Sequence, residues 1–92
     1  MSVKRYTITI HGKVQGVGFR EAASSKANEL GIVGFVQNLP DNSVRIEAQA
    51  EQAILDKFLA WCQIGPSMAK VSRVEKLELS LKHFIDFEII MG

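Results

Sequence analysis

A glycine-rich segment at residues 11–20 is the part of the sequence best suited to binding an anion. Its glycines at positions 12, 16 and 18 allow the backbone to adopt positive φ or to approach a bound group closely. The segment follows a strand-like pattern and runs into a helix-like one. Its end therefore coincides with a helix N-terminus, whose free N–H groups attract anions. Arg20 falls in the first helical turn, where a guanidinium can bind two phosphate oxygens. These residues predict a phosphate-binding loop, and a tight turn with a solvated Arg20 is the alternative.

Two well-known phosphate-binding motifs do not match this segment. A Walker loop needs a glycine at the position of Thr7 and a Ser or Thr after Gly12-Lys13, where Val14 stands. The dinucleotide-binding fingerprint that could start at Gly16 needs a third glycine at the position of Glu21. The segment therefore belongs to neither class.

Hydrophobic periodicity predicts the elements that position this loop. Period-two alternation indicates strands at 6–10, 32–38 and 44–49, and further strands are expected from 71 through 81 and over 84–90. Apolar residues at three- and four-residue spacing indicate one helix from Phe19 to Leu30, ended by Gly31, and another over 51–63. The order βαββαβ, with the last β unit divided in two, predicts an α+β fold. We expect a ferredoxin-like sandwich: an antiparallel sheet with two helices on one face.

The composition narrows the functional classes. The 92 residues fit one domain spanning 1–92, and a net charge of +1 argues against a nonspecific nucleic-acid binder. Cys62, the single cysteine, cannot close a disulfide within the chain, and with two histidines it offers little for a zinc cluster. There is neither a signal-peptide pattern nor an apolar run long enough to span a membrane. We expect a cytoplasmic monomer with no membrane partner.

Two segments carry a resemblance to a known family. Residues 11–20, HGKVQGVGFR, resemble the first signature of the acylphosphatases, and residues 34–41, GFVQNLPD, resemble the second. The resemblance extends over essentially the whole chain, because length, element order and the separation of the signatures also agree. It implies a hydrolase that cleaves the carboxyl–phosphate bond of acyl phosphates with no metal or other cofactor.

The resemblance also implies which residues form the site. The catalytic residues would be Arg20, which holds the phosphate, and Asn38, which orients the attacking water. The backbone of the phosphate-binding loop would come from Gln15, Gly16, Val17, Gly18, Phe19 and Arg20. The implied partner is a small-molecule acyl phosphate, with inorganic phosphate or sulfate able to occupy the site, and not a nucleic acid.

The implied chemistry agrees with the residue types. A carboxylate leaves without help from a general acid, because the pKa of its acid is near 4. Arg20 and the loop N–H groups can stabilise charge, and the Asn38 amide oxygen can accept a hydrogen bond from water.

The sequence departs from the family pattern at a few positions. Asn42 and Ala50 stand where the family commonly has glycine, and asparagine tolerates the left-handed conformation. Glu21 complements the helix dipole.

Alternative functions remain at this point. By itself, Asn38 before Leu-Pro-Asp would be interpreted as a turn residue. A catalytically inactive phosphate-binding module and an RNA-binding module can share the fold. The RNA-binding alternative is disfavoured because residues 44–49 contain no aromatic side chain. A metal-carrying module would need a Cys-x-x-Cys pair in the first loop, which is absent.

Overall fold

Five strands and two helices make up residues 2–91, the part of the chain that the computed structural model describes. The elements follow the chain in the order β1 (Val3–Lys13), α1 (Phe19–Leu30), β2 (Val33–Asn38), β3 (Val44–Glu51), α2 (Gln52–Cys62), β4 (Lys70–Leu79) and β5 (Phe87–Ile90). Most bounds agree with the pattern in the sequence, and β1 is longer at both ends than the predicted 6–10. Neither helix is long and apolar enough to cross a membrane.

The sheet has the strand order β4-β1-β3-β2-β5. Antiparallel ladders join β1 to β3 and β4, and β2 to β3. The predicted ferredoxin-like α+β fold is therefore confirmed. One difference concerns β5, which pairs with β2 in parallel, so the sheet is mixed. The strand β4 runs opposite to β2. Since the chain reverses direction between β4 and β5, β5 runs in the same direction as β2.

The chain between β4 and β5 differs from the prediction of two long strands. Residues 80–86 cross to the far edge of the sheet, where the Asp86 carbonyl oxygen, just ahead of β5, accepts the Gly34 N–H. The Arg5 guanidinium donates to the Ser80 carbonyl oxygen, and the Gln49 side chain hydrogen-bonds with both the backbone N–H and C=O of Lys82. Apolar side chains in this crossing, such as Ile85 at 87% exposure, imitate a strand pattern but are not buried.

The core lies between the sheet and the two helices. Alternate residues of the central strands are buried on one face, and α1 and α2 cover them with their own apolar residues. The largest fully buried side chains include Phe19, Phe58, Ile8, Ile10, Ile46, Leu55, Val14, Val36, Val44 and Cys62. Burial raises the pKa of the Cys62 thiol, which keeps this cysteine in its unreactive protonated form.

The other face of the sheet is open and polar at its centre. Glu47 on β3 is only 5% exposed, although no helix covers it. Its carboxylate binds the guanidinium of Arg5 at 2.5 Å and that of Arg45 at 2.8 Å. Two positive charges thus compensate one shielded negative charge, which is the arrangement that a buried carboxylate requires.

Gly34 allows β2 and β3 to approach closely. Its φ is +143°, and a Cβ at this position would collide with the carbonyl oxygen of Glu47 in β3. Gly31, which ends α1, also has a positive φ, +72°, but a Cβ there would meet nothing within 4 Å. Gly34 is therefore required for both conformation and space, and Gly31 for conformation alone.

We expect Gly34→Ala to destabilise the fold far more than Gly31→Ala. Strain and steric overlap together should lower the free energy of unfolding by about 3 kcal/mol or more at Gly34. At Gly31 the left-handed conformation alone should cost about 1–2 kcal/mol. Urea denaturation of both variants measures the difference, and equal costs would contradict the close approach of β2 and β3.

Candidate functional site

The loop between β1 and α1 is held at both ends by buried apolar side chains. Val14 and Phe19 are each 1% exposed, and Val17 packs against the same core. Between them Gly16 and Gly18 have φ values of +73° and +76°. A Cβ at either glycine would meet nothing within 4 Å, so it is the backbone conformation that requires glycine there.

Phe19 fixes the start of α1. Its ring lies 5.4 Å from that of Trp61 in α2, and Trp61 stacks on Phe58 at 5.9 Å between centroids. The loop after α2 closes over the same ring, since a Cβ on Gly65 would lie 2.6 Å from the Phe19 ring. The position of the loop therefore depends on the aromatic core beneath it.

The first turn of α1 faces outward without a capping side chain. Gly18 is the N-cap residue, and its carbonyl oxygen accepts the first helical hydrogen bond from the N–H of Ala22 at 3.1 Å. The N–H groups of Phe19, Arg20 and Glu21 have no partner inside the helix. Such a terminus is suited to an anion, because its free donors and partial positive charge point the same way.

Asn38 ends β2 with its side chain directed toward the helices. It shares the helix-covered face with Val36, two residues earlier, and it pairs with Val44 of β3. Among the residues described, its Oδ1 is the buried side-chain oxygen without a hydrogen-bond partner. An unpaired buried acceptor is costly unless a ligand or water completes it.

Sheet register places Asn38 near the loop. Ile10 of β1 and Asn38 of β2 both lie opposite Val44, one on each side of β3. The carboxyl ends of β1 and β2 therefore meet at one edge of the sheet. The loop that follows β1 extends beyond this edge, toward the turn that follows Asn38.

Arg20 lies at the same edge. Its Nη1 is 3.5 Å from the Sδ of Met91, and Met91 comes directly after the residue that pairs with Gln37. Parallel neighbours are about 4.8 Å apart, so Met91 is adjacent to Asn38. The thioether is a weak acceptor, and an anion can replace it at the guanidinium.

Gln15 connects the loop to the turn between β2 and β3. Its Nε2 donates to the carbonyl oxygens of Leu39 and Ser43, both at 2.8 Å. The sequence predicted Gln15 for its backbone and gave its side chain at most a loop-supporting role. It did not identify the two acceptors, because a single amide between Val14 and Gly16 gives no pattern. The structure thus brings together the predicted residues Gln15, Arg20 and Asn38.

The β2–β3 turn has the left-handed residue that the sequence predicted. Asn42 has a φ of +74°, which confirms that it can replace glycine there. Ser43 is 2% exposed, and its hydroxyl and its backbone N–H both donate to Asp41 Oδ1. These two hydrogen bonds hold the pKa of the exposed Asp41 carboxyl below its usual value.

Other polar clusters lie away from this edge or do not form a site. His11 faces the open side of the sheet, where its Nε2 is 2.7 Å from Glu75 of β4. This hydrogen bond and the nearby Arg73 lower the pKa of Glu75. A shallow concavity of about 290 Å³ adjoins it, lined by Thr7, Thr9, Glu75, Lys76 and Leu77.

Within residues 2–91 no three His, Cys, Asp or Glu side chains form a group that could hold a metal ion.

The chain is thus a small α+β protein of the ferredoxin-like class. The glycine loop, the free helix N-terminus and the arginine at one sheet edge make this edge its candidate anion site. A family model, Acylphosphatase, matches residues 6–89. The acylphosphatase of Acaryochloris marina is 48% identical over 88% of this chain and 87% of its own, and that of Methylococcus capsulatus is 38% identical over 96% and 97%. The crystal structure of acylphosphatase from Bacillus subtilis superposes with a TM-score of 0.93 at 31% identity, covering 96% of this chain and 99% of that one. The chain belongs to the acylphosphatase family.

The Asp41–Ser43 interaction makes stability depend on pH. The pKa of Asp41 is lower in the folded chain, so its contribution is complete above the unfolded value of about 3.9 and is lost as the pH falls through the folded pKa. We expect the melting temperature of Ser43→Ala, which lacks the hydroxyl hydrogen bond to Asp41, to fall less than that of the native chain when the pH is lowered from about 6 to about 2. Thermal melts followed by circular dichroism test this, and parallel pH profiles would contradict it.

Proposed function

We propose that this protein hydrolyses the carboxyl–phosphate bond of acyl phosphates, releasing a carboxylate and inorganic phosphate. The phosphate is held by the Arg20 guanidinium and by the backbone N–H groups of residues 15–20. A water molecule on Asn38 attacks the phosphorus. Membership of the acylphosphatase family supports the reaction, and the arrangement of this sheet edge supports the roles.

The observation that carries the proposal is the buried, unpartnered Oδ1 of Asn38. A water that donates a hydrogen bond to this oxygen supplies the partner that residues 2–91 leave missing. The register places this acceptor at the edge where the loop ends. Asn38 can thus hold the attacking water on the side of the phosphate that faces β2.

Arg20 and the loop serve the charged part of the reaction. The transferred phosphoryl group carries negative charge on its three outer oxygens, and catalysis consists mainly of positioning and charge stabilisation. The guanidinium can bind two of these oxygens, while the free N–H groups of the first turn of α1 bind the remaining charge. Burial of Val14 and Phe19 supports the loop part of this proposal, because it fixes the backbone that carries these N–H groups. The Arg20 guanidinium exchanges its contact with the Met91 sulfur for the phosphate.

The leaving group explains why this set of residues is sufficient. An acyl phosphate releases a carboxylate whose acid has a pKa near 4, so no general acid has to protonate it. The proposal therefore includes no metal ion and no nucleophilic side chain. The proton of the attacking water passes to a phosphate oxygen, which is a stronger base than the departing carboxylate.

The RNA-binding alternative finds little support on the open face. RNA recognition by this fold uses aromatic side chains on the central strands. The open faces of β1 and β3, both fully described, instead present Arg5, Thr7 and Thr9 together with Arg45 and Glu47. Glu47 and its two arginine partners thus occupy the centre of this face, where such RNA-binding modules present aromatic rings.

Hydrolysis of benzoyl phosphate in excess chelator tests the proposed reaction and its residues. We expect Asn38→Ala to lower kcat by about 100-fold or more, with inhibition by phosphate nearly unchanged, because water positioning is lost and phosphate binding remains. Arg20→Ala should lower kcat/KM by about 100- to 1000-fold and weaken phosphate inhibition.

Matched controls are Gln37→Ala, next to Asn38 but on the open face, and Arg73→Ala on exposed β4. Both should retain native turnover. Absence of turnover by the native chain, with phosphate still raising its melting temperature, would leave a phosphate-binding module and refute the hydrolase. Full activity of Asn38→Ala would refute the role of the amide alone.

A further inference from the structure

The Gln15 side chain joins the two halves of the site. Its backbone begins the phosphate-binding loop, and its Nε2 donates to Leu39 and Ser43 at the two ends of the β2–β3 turn. Each carbonyl oxygen also accepts a backbone N–H within the turn, Leu39 from Asn42 at 3.1 Å and Ser43 from Leu39 at 2.9 Å. The turn therefore closes by itself, and Gln15 adds an attachment from outside.

This attachment bears directly on Asn38. The peptide group that ends β2 joins Asn38 to Leu39, and its N–H donates to the Ser43 carbonyl oxygen, which is the second acceptor of Gln15. The Leu39 carbonyl, the first acceptor, lies in the next peptide group, so Gln15 holds the chain on both sides of Leu39. The Asn38 Oδ1 has no hydrogen-bond partner in the described chain that could hold the amide from its own end. The backbone around Asn38 must consequently determine where its side-chain oxygen points.

We propose that Gln15 is a positioning residue that sets the distance and angle between the phosphate-binding loop and the water held by Asn38. The inference rests on the proposed function, since it assigns Gln15 to the water-positioning half of that reaction. The two hydrogen bonds from the planar Gln15 amide set the distance between the loop and the turn. Without them each half keeps its own fold but loses its alignment with the other.

A purely structural role for Gln15 predicts a different outcome. In that case its removal lowers stability while the folded protein turns over normally. The positioning role instead predicts a loss in kcat that disappears when Asn38 is already absent. A double-mutant cycle separates these, because residues that act as one unit give non-additive effects.

The first experiment compares Gln15→Met, Asn38→Ala and the double variant in benzoyl phosphate hydrolysis below their melting temperatures. Methionine keeps the length of glutamine and removes the N–H donors. We expect kcat of Gln15→Met to fall about 10- to 100-fold while the inhibition constant for phosphate changes less than about threefold. The double variant should be no slower than Asn38→Ala, and the matched Gln37→Met should behave like the native chain.

A second variant keeps the proposal testable if Gln15→Met does not fold. Gln15→Glu retains the shape of the side chain, and its carboxyl can donate a hydrogen only when protonated. We expect kcat of Gln15→Glu, relative to the native chain at each pH, to be low near neutral pH and to recover as the pH falls. Recovery of this kind would not accompany a role in stability alone.

The outcomes distinguish this inference from the proposed function. Native kcat in Gln15→Met, a loss that adds fully to that of Asn38→Ala, or a flat pH ratio for Gln15→Glu would overturn the role of Gln15 while the hydrolase stands. An inactive native chain, or an Asn38→Ala variant at native rate, would overturn the proposed function and this inference with it.

Discussion

The candidate site depends on the burial of two side chains, Val14 and Phe19, on either side of a short glycine-containing loop. Backbone N–H groups bind an anion well only if they already point at it before it arrives, because reorganising them would consume the binding energy. Hydrophobic burial supplies that order here: both side chains are almost completely inaccessible, and the aromatic cluster of Phe58 and Trp61 supports Phe19. The glycines between them need only provide the left-handed conformation.

The split βαβ topology determines where the second half of the site lies. β1 and β2 run in the same direction with β3 between them, so both end at the same edge of the sheet. The loop after β1 and the turn after β2 are then close enough for one glutamine side chain to join them. The proposed site, made from residues 15–20 and 38, thus requires no long insertion and no contribution from the open face.

Much of this arrangement could be predicted from the sequence, for identifiable reasons. Alternation in β3 and the spacing from Phe19 to Leu30 predict the observed elements, because each has one face in the core. The apolar pattern around Leu81 and Ile85 predicted strands that the structure does not have there. These side chains are exposed on the segment that crosses from β4 to β5. The parallel pairing of β5 was also missed, since an edge strand acquires its direction from tertiary structure.

The candidate site likewise has features that the sequence predicts and features that only the folded structure determines. Signature spacing predicted Arg20 and Asn38 as site residues. Register places Asn38 at one edge of the sheet, and the contact with Met91 places Arg20 at the same edge. The two acceptors of the Gln15 side chain could not be predicted in this way. Its hydrogen bonds depend on the path of a turn that begins 24 positions later in the chain. That the Asn38 oxygen lacks a partner is likewise a property of packing, which no motif records.

The position of β5 has a practical consequence for fusions to this chain. Met91 follows β5 at the edge where Arg20 lies, and its sulfur touches that guanidinium. Ser2 lies at the opposite edge, where its carbonyl oxygen accepts the first N–H of α2. A purification tag or fluorescent label attached beyond residue 91 would therefore lie beside the proposed anion-binding donors, whereas one attached ahead of residue 2 would leave them accessible.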